Sequence, residues 1–299
     1  MWDKWISQIQ QGDVRALARA ISLAENDSAG LTEALAHTSI PHKPVIGITG
    51  PPGAGKSTLT DALIGALINE GKSVAVLCVD PSSPFHQGAV LGDRIRMSEW
   101  YTHPKVYIRS LATRGALGGL HPRILEITDL VKCFTADWIL IETVGVGQSE
   151  VEVAGLADRT VVVLVPEAGD EIQTMKSGLL EIADLFVVNK SDRPDAAKFR
   201  SHLERMVQED RAHGTNIPIF NTVATEKQGV SDVIEALKSL LASPGQQERE
   251  KLLLMEKAKH LLREQWLRKL DAGKMKASLH EAMLTKDFNL YSWVSNYAG

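Results

Sequence analysis

The sequence predicts a doubly wound, mostly parallel α/β domain with a helical segment added at each end. The first observation is an alternation of short apolar runs and helix-forming stretches between residues 45 and 241. The runs are apolar almost throughout, as expected for parallel strands that helices cover on both faces. The second observation is a glycine-rich turn between the first run and a helix-forming stretch. This order is typical of α/β domains that bind phosphate groups.

Seven strands and the helices between them follow from this alternation. The strands are predicted at 45–49, 74–80, 106–110, 138–142, 160–166, 185–190 and 217–221. Helical segments separate the strands, for example 56–70, 171–182, 194–208 and 230–241. Right-handed crossovers would bring the carboxyl ends of all these strands to one edge of the sheet, where such folds bind their ligands.

The two ends of the chain read as helical. Apolar residues recur at helical spacing up to about Ala36, and Asp13 after the break at Gly12 is suited to an N-cap. Beyond residue 243 the chain becomes highly charged, with helices predicted at 246–270 and 276–284. We therefore expect an N-terminal helical arm at 1–43, the α/β domain at 44–243 and a C-terminal helical extension at 244–299. The extension is a candidate dimerisation arm.

Composition excludes several classes of protein. The 299 residues carry a net charge of −4 without a basic block, so we expect neither a nucleic-acid partner nor a membrane partner. No apolar run is long enough to span a bilayer, and the first residues lack the features of a signal peptide. Cys78 and Cys133 are isolated, which predicts neither a disulfide framework nor a zinc site. These features favour a cytoplasmic protein.

The glycine-rich turn matches the pattern G-x-x-x-x-G-K-[ST] of a P-loop. Its glycines allow backbone N–H groups to point at a phosphate, and the helix behind them adds its positive N-terminal end. We expect Lys56 to reach the β- and γ-phosphates and Ser57 to bind Mg²⁺. The predicted phosphate-binding residues are Gly50, Pro51, Pro52, Gly53, Ala54, Gly55, Lys56, Ser57 and Thr58.

A second motif, N-K-x-D, follows a later predicted strand and comprises Asn189, Lys190 and Asp192. Asp192 can accept hydrogen bonds from guanine N1–H and N2–H₂ together, a pair that adenine does not offer. Asn189 and Lys190 are expected to brace the loop, and Ala224 to donate its backbone N–H to guanine O6. Such a site discriminates by ~10⁴ or more, because the wrong base leaves buried groups unpaired. GTP and GDP are therefore the expected ligands.

Acidic residues at or beyond strand ends are candidates for metal binding and hydrolysis. Ser57, Asp80 and Glu142 are predicted to hold or organise Mg²⁺, which prefers hard oxygen ligands. Asp93 either caps the helix that follows it or orders the attacking water. Gly145 is expected to sense the γ-phosphate, and Glu142 to assist hydrolysis.

The candidate catalytic residues are thus Lys56, Asp93 and Glu142. The sequence shows no Gln or Arg placed as an efficient catalyst, so slow intrinsic turnover is expected. Conditional help could come from three arginines that lie outside these motifs, namely Arg94, Arg96 and Arg114.

Further motifs occur between these in a fixed order. They are Val79–Pro84, Leu91–Met97, Gly118–Leu120, Glu142–Glu150, Ala168–Gln173 and Lys176–Gly178. In this combination the chain resembles the MeaB/ArgK family, the methylmalonyl-CoA mutase-associated GTPases, over about residues 12–241. The stretches ETVGVGQSE and AGDE are the most diagnostic parts of the resemblance.

The resemblance implies a G-protein chaperone, commonly a homodimer, that serves a cobalamin-dependent acyl-CoA mutase. It would control cofactor loading and protect the mutase, with GTP hydrolysis as the timer, and a cobalamin adenosyltransferase is a further implied partner. Residues 85–97, 144–152 and 167–176 match the family's mobile switch regions. The residues implied in switching and partner coupling are Arg94 in the first region and Asp170, Glu171 and Lys176 in the third.

Three other functions compete with this interpretation. A nickel-insertion GTPase needs a Cys or His site for the metal, and the histidines of this chain are scattered. A kinase linked to amino-acid transport is a second alternative, although N-K-x-D favours guanine. A non-catalytic nucleotide-binding module is a third, against which an intact set of Lys56, Ser57, Asp80 and Glu142 argues.

Overall fold

The computed structural model describes residues 1–80, 94–113, 120–143, 152–168, 178–209, 217–243, 246–285 and 288–298. The chain divides into two compact units, Met1–Leu253 and Leu254–Gly299. The boundary between them lies inside a long helix, Gln246–Lys269. The domain boundaries expected from the sequence, at 43/44 and 243/244, stay a prediction.

The N-terminal arm consists of helices α1 (Trp2–Gln10), α2 (Val14–Glu25) and α3 (Leu31–Ala36). The predicted N-cap is confirmed, because Oδ1 of Asp13 accepts hydrogen bonds from the backbone N–H groups of Arg15 and Ala16 at 2.8 and 3.0 Å. An N-cap of this kind satisfies amide groups that have no partner within the helix. Helix α2 therefore begins directly after Asp13, as the sequence predicts.

The first unit is built on a seven-stranded sheet. Its strands are β1 (Val45–Thr49), β2 (Val74–Asp80), β3 (Val106–Ala112), β4 (Trp138–Glu142), β5 (Arg159–Leu164), β6 (Leu185–Val188) and β7 (Ile219–Asn221). They lie in the order β3-β2-β4-β1-β5-β6-β7, and all the pairings are parallel. The predicted α/β fold class is confirmed, and its parallel strands place their carboxyl ends at one edge.

Helices cover the sheet and enclose its core. Those described are α4 (Lys56–Asn69), α5 (Ile124–Cys133), α6 (Leu179–Ile182), α7 (Ala196–Glu209) and α8 (Val230–Leu241). One buried cluster joins β1, β2, β4 and β5 to α4 and α8, and a second joins β5 and β6 to α6 and α7. The arm packs against α5 and β3. Cys78 lies buried in the first cluster.

The chain ends in α9 (Gln246–Lys269), α10 (Ala272–Met283) and α11 (Leu290–Ala298). Within the second unit, Nε1 of Trp293 donates a hydrogen bond to Oγ of Ser278 on α10 at 3.2 Å. The Trp293 ring stacks on Tyr297, with centroids 5.1 Å apart. No helix in the described ranges is long and apolar enough to cross a membrane.

The observed elements differ from the predicted ones mainly at their ends. β5 stops at Leu164 because a 3₁₀ turn begins at Pro166, which has no backbone N–H for a ladder. The helix predicted at 171–182 is described only as α6, since residues 171–177 lie outside the described ranges. α11 was not predicted, and α10 begins at Ala272 rather than residue 276 because Asp271 caps it.

Candidate nucleotide-binding site

The P-loop connects β1 to α4 at the carboxyl edge of the sheet. Gly50 has a φ of +139°, and a Cβ added there would collide with the carbonyl of Val163 on β5. Gly55 has a φ of +84°, and a Cβ there would overlap Nδ2 of Asn189. Only glycine combines these backbone angles with such close neighbours. The loop is thereby held tightly against β5 and against the N-K-x-D segment.

Lys56 lies buried inside this loop, with 6% of its surface exposed. Its Nζ donates hydrogen bonds to the carbonyl oxygens of Gly50 and Pro51 at 2.8 and 3.0 Å. Pro52 and Gly53 are exposed at the tip of the loop, whereas Ala54 is buried beneath it and Thr58 is half-buried in the first turn of α4. The ammonium group is therefore already directed into the space that the loop encloses.

Ser57 and Glu142 meet next to the loop. Glu142 ends β4 and pairs in register with Ile48 on β1, which brings its carboxylate to the start of α4. Oγ of Ser57 donates a hydrogen bond to Oε1 of Glu142 at 2.5 Å, and both residues are buried. Asp80 ends β2, two residues beyond the register partner of Glu142, Cys78. A hydroxyl and a carboxylate in contact are hard oxygen donors of the kind that Mg²⁺ takes.

The N-K-x-D segment follows β6 and is hydrogen-bonded directly to the P-loop. Nδ2 of Asn189 donates to the carbonyl of Ala54 at 3.0 Å, and Nζ of Lys190 donates to the carbonyl of Gly53 at 2.8 Å. Lys190 adopts a φ of +55°, so the chain turns sharply behind β6. Asp192, two residues on, is exposed. A phosphate-binding loop and a base-binding loop thus form one connected structure.

The segment behind β7 completes this arrangement. Oγ1 of Thr222 and the backbone N–H of Ala224 both donate to Oδ1 of Asn189, at 3.0 and 3.2 Å. Ala224 is therefore at the site, with its N–H directed at Asn189. The predicted contact of this N–H with guanine O6 stays a prediction.

The structure does not describe the side chains of several predicted site residues. Asp93, Gly145, Asp170, Glu171 and Lys176 lie outside the described residues, as does Arg114. For Asp80, Arg94 and Arg96 the structure describes the backbone alone. The roles assigned to these residues stay predictions.

One ion pair joins the two loop regions beyond β5 and β6. Arg193, next to Asp192, donates from its guanidinium to Glu167 in the 3₁₀ turn Pro166–Ala168. This hydrogen bond holds the pKa of the Glu167 carboxyl below its usual range. Both side chains are about half exposed, at 46% and 50%, so water and salt weaken their attraction.

The sequence reasoning did not identify three threonines that hold the site together. Oγ1 of Thr143 donates to Oγ1 of Thr49 at 3.0 Å, which links the ends of β4 and β1. Thr222 supports Asn189. Each threonine stands at the end of a strand or directly behind it, and that position is the signal that could have revealed them.

A family model described as "Methylmalonyl Co-A mutase-associated GTPase MeaB" matches residues 17–277. A relative from Pyrococcus horikoshii is 41% identical over 308 aligned positions, which cover 97% of this chain and 95% of that one. A fused isobutyryl-CoA mutase from Geobacillus kaustophilus is 35% identical over 239 residues, covering 74% of this chain and 22% of that protein.

A solved structure agrees over nearly the whole chain. The crystal structure of a protein described as a LAO/AO transport system kinase superposes with a TM-score of 0.72 and 27% identity, covering 98% of this chain and 95% of that one. The fold of that protein and the sequence matches agree with the P-loop and the N-K-x-D segment in indicating a GTPase. The chain therefore belongs to the MeaB family of methylmalonyl-CoA mutase-associated GTPases, and it is a GTPase that binds GTP and GDP.

Proposed function

We propose that the chain is a cytoplasmic G-protein chaperone that uses GTP binding and hydrolysis to control cofactor loading and protection of a cobalamin-dependent acyl-CoA mutase. The observation that carries the nucleotide part is the direct connection of the two loops. Asn189 and Lys190 donate hydrogen bonds to the carbonyls of Ala54 and Gly53, so the phosphate-binding and base-binding segments form one site.

In this proposal, Lys56 supplies the positive charge for the β- and γ-phosphates, and Asp192 reads the guanine base. Ser57, Asp80 and Glu142 would hold or organise Mg²⁺, an ion that neutralises charge on the phosphate oxygens when bound. The contact between the Ser57 hydroxyl and the Glu142 carboxylate supports this donor set. Glu142 and Asp93 would orient the attacking water, Gly145 would sense the γ-phosphate, and Ala224 would contact guanine O6.

Two findings support a mutase as the partner. The family description itself names association with methylmalonyl-CoA mutase. The Geobacillus relative is described as a fused isobutyryl-CoA mutase, and this chain matches 22% of its length, the size of one part within a larger protein. A GTPase segment within a mutase chain would have its partner covalently attached. The family description favours this partner over the metal-insertion and kinase alternatives. The implied cobalamin adenosyltransferase stays a secondary proposal.

The test is GTP hydrolysis by the full chain, measured alone and with a purified cobalamin-dependent acyl-CoA mutase, with ATP in parallel. We expect slow hydrolysis of GTP, none of ATP, and a clear rise in rate when the mutase is added. Lys176→Ala should spare intrinsic hydrolysis and weaken the stimulation, since partner coupling is proposed near this residue. Lys198→Ala, at an exposed position on α7, is the matched control.

Each outcome separates one part of the proposal from another. Slow GTP hydrolysis that no mutase changes would leave the GTPase intact and remove the chaperone role. Equal stimulation of the wild type and Lys176→Ala would remove Lys176 from the coupling. Lys56→Ala should abolish tight GTP binding, and micromolar affinity in this variant would show that the P-loop does not bind the phosphates.

We also propose that the protein is a homodimer that covers apolar residues of the second unit. Large apolar side chains there are strongly exposed: Leu254, Leu262, Met283, Leu284 and Tyr291. Exposed apolar surface of this kind is typical of an interface. Light scattering should give about twice the chain mass of 32.7 kDa. A mass of one chain at micromolar concentration would contradict the proposal.

A further inference from the structure

The helix that leaves the P-loop carries a polar contact that the proposed mechanism does not use. Asp61 lies on α4 four residues after Ser57, so both side chains share one face of the helix a single turn apart. Oδ1 of Asp61 accepts a hydrogen bond from Nε1 of Trp100 at 2.7 Å. The contact joins two elements that are 39 residues apart in the chain. Asp61 lies one helical turn after Ser57, the proposed magnesium ligand.

The Trp100 ring is held on α4 by packing as well. A Cβ added at Gly65, one turn beyond Asp61, would already be 3.4 Å from Cζ2 of the indole, so the ring lies directly over this glycine. His103 packs edge-to-face against the Trp100 ring, with centroids 5.7 Å apart. The ring that carries the donor is therefore packed on two sides.

Trp100 ends the 3₁₀ segment Arg94–Trp100, which kinks at Met97. Met97 is 1% exposed and belongs to the core cluster that includes Leu59 and Leu63 of α4. The segment is thus attached to α4 twice, through Met97 in the core and through Trp100 at its end. Its first residue, Arg94, follows Asp93 and belongs to the proposed switch region. These two attachments hold the segment on α4 and so position its first residue, Arg94.

We propose that Trp100 and Asp61 are positioning residues for GTP hydrolysis: their hydrogen bond fixes the Arg94–Trp100 segment on the P-loop helix and so sets the position of Arg94 relative to Ser57. The inference rests on the proposed function, in which Asp93, the residue directly before this segment, would orient the attacking water. It adds two residues that touch neither nucleotide nor metal. Hydrolysis, which needs the segment in place, should depend on the bond, whereas GDP affinity should not.

The test is single-turnover hydrolysis of GTP by the full chain without any mutase, combined with the Kd for GDP. Trp100→Phe keeps the ring and removes the donor, and Asp61→Ala removes the acceptor. Each should lower the hydrolysis rate by about tenfold, the size expected for one hydrogen bond to a charged group, and change the Kd for GDP less than ~2-fold. Asp61→Asn retains an acceptor oxygen and should restore most of the rate. The double variant should be no slower than either single variant.

Trp138→Phe is the matched control, because Trp138 is a buried tryptophan of the same core cluster at the start of β4. It should leave the hydrolysis rate unchanged. Unchanged rates in Trp100→Phe and Asp61→Ala, additive losses in the double variant, or an Asp61→Asn variant as slow as Asp61→Ala would each overturn the inference. A parallel loss of GDP affinity would do the same, since it would indicate damage to the P-loop helix. A wild-type chain that does not hydrolyse GTP would instead overturn the proposed function, and the inference with it.

Discussion

The two helical ends of the chain have opposite surroundings. In the N-terminal arm, Ile9, Leu17 and Ile21 are 0% exposed. In the second unit, Leu262 is 66% exposed and Tyr291 is 86% exposed. Both regions are helical and contain many apolar residues, but α1 and α2 of the arm gather these residues on one face much more strongly than α9 does. A distinct apolar face accompanies burial in the arm, whereas the apolar residues of α9 are spread around the helix.

Charged residues on the α/β domain account for the position of the arm. Arg109 on β3 pairs with Glu25 at the end of α2, and Arg123, just before α5, pairs with Asp27. Arg123 also contacts the buried carboxylate of Glu126 at 2.6 Å. These arginines attach the arm on the side where its apolar face meets α5. In the second unit, the exposed apolar side chains are the ones that the proposed dimer would cover.

The largest expected effect is the loss of core packing in the arm. Leu17→Ala removes a fully buried side chain and should lower the free energy of unfolding by about 2–5 kcal/mol. Leu262→Ala removes the same atoms from an exposed site and should change it by less than ~0.5 kcal/mol at concentrations too low for dimers. Urea unfolding of both variants measures the difference. Equal losses would show that the two ends are equally integrated into the fold.

The second-largest effect is expected from the loss of a buried ion pair. Arg123→Ala removes the cation that contacts buried Glu126 and should cost about 3 kcal/mol, because a buried carboxylate then loses its ion pair. Lys251→Ala breaks the pair with Glu248 on α9, where both side chains are more than 70% exposed, and should cost less than ~0.5 kcal/mol. Thermal unfolding compares the two variants. A small loss for Arg123→Ala would mean that the ion pairs of Arg123 contribute little to stability.

The fold could be predicted from the sequence because its signals are local. β1, β2, β4 and α8 have the predicted bounds, since apolar runs and helical periodicity do not depend on distant residues. The prediction was less accurate at edges: β7 is only three residues long, and α11 was not predicted although Asn289 caps it, with its Oδ1 accepting the backbone N–H of Ser292 at 3.1 Å. The strand order and register come from packing, which no single segment encodes.

In the candidate site, too, some features could be predicted from local sequence and others could not. The P-loop and N-K-x-D are continuous motifs, so their residues could be named from the sequence. The contact of Ser57 with Glu142 depends on the register of β1 against β4, and the bond of Trp100 to Asp61 depends on how a 3₁₀ segment packs on α4. Such contacts join residues far apart in the chain. Ser57 and Glu142 could be assigned to one metal site from the sequence, but the direct contact between them, like the bond of Trp100 to Asp61, depends on the assembled sheet and helices.

The smallest effect is expected from removing either of two N-caps that have the same geometry. Asp13 caps α2 through the amides of Arg15 and Ala16 at 2.8 and 3.0 Å, and Asp271 caps α10 through those of Gly273 and Lys274 at 2.9 and 3.0 Å. Either change to Ala should cost its helix about 1 kcal/mol. Because α2 is buried in the first unit, Asp13→Ala should lower the stability of that whole unit. Asp271→Ala should affect only the second unit.

Amide hydrogen exchange, resolved by segment, distinguishes these two results. Asp13→Ala should speed exchange in the arm and in the slowest-exchanging strands alike, since both open in the same global unfolding. Asp271→Ala should speed exchange across α10 and leave the strands as they are in the wild type. Faster exchange of the strands in Asp271→Ala would mean that the second unit unfolds together with the first. The contrast between the two ends of the chain would then be one of exposure alone, because both would contribute to a single cooperative fold.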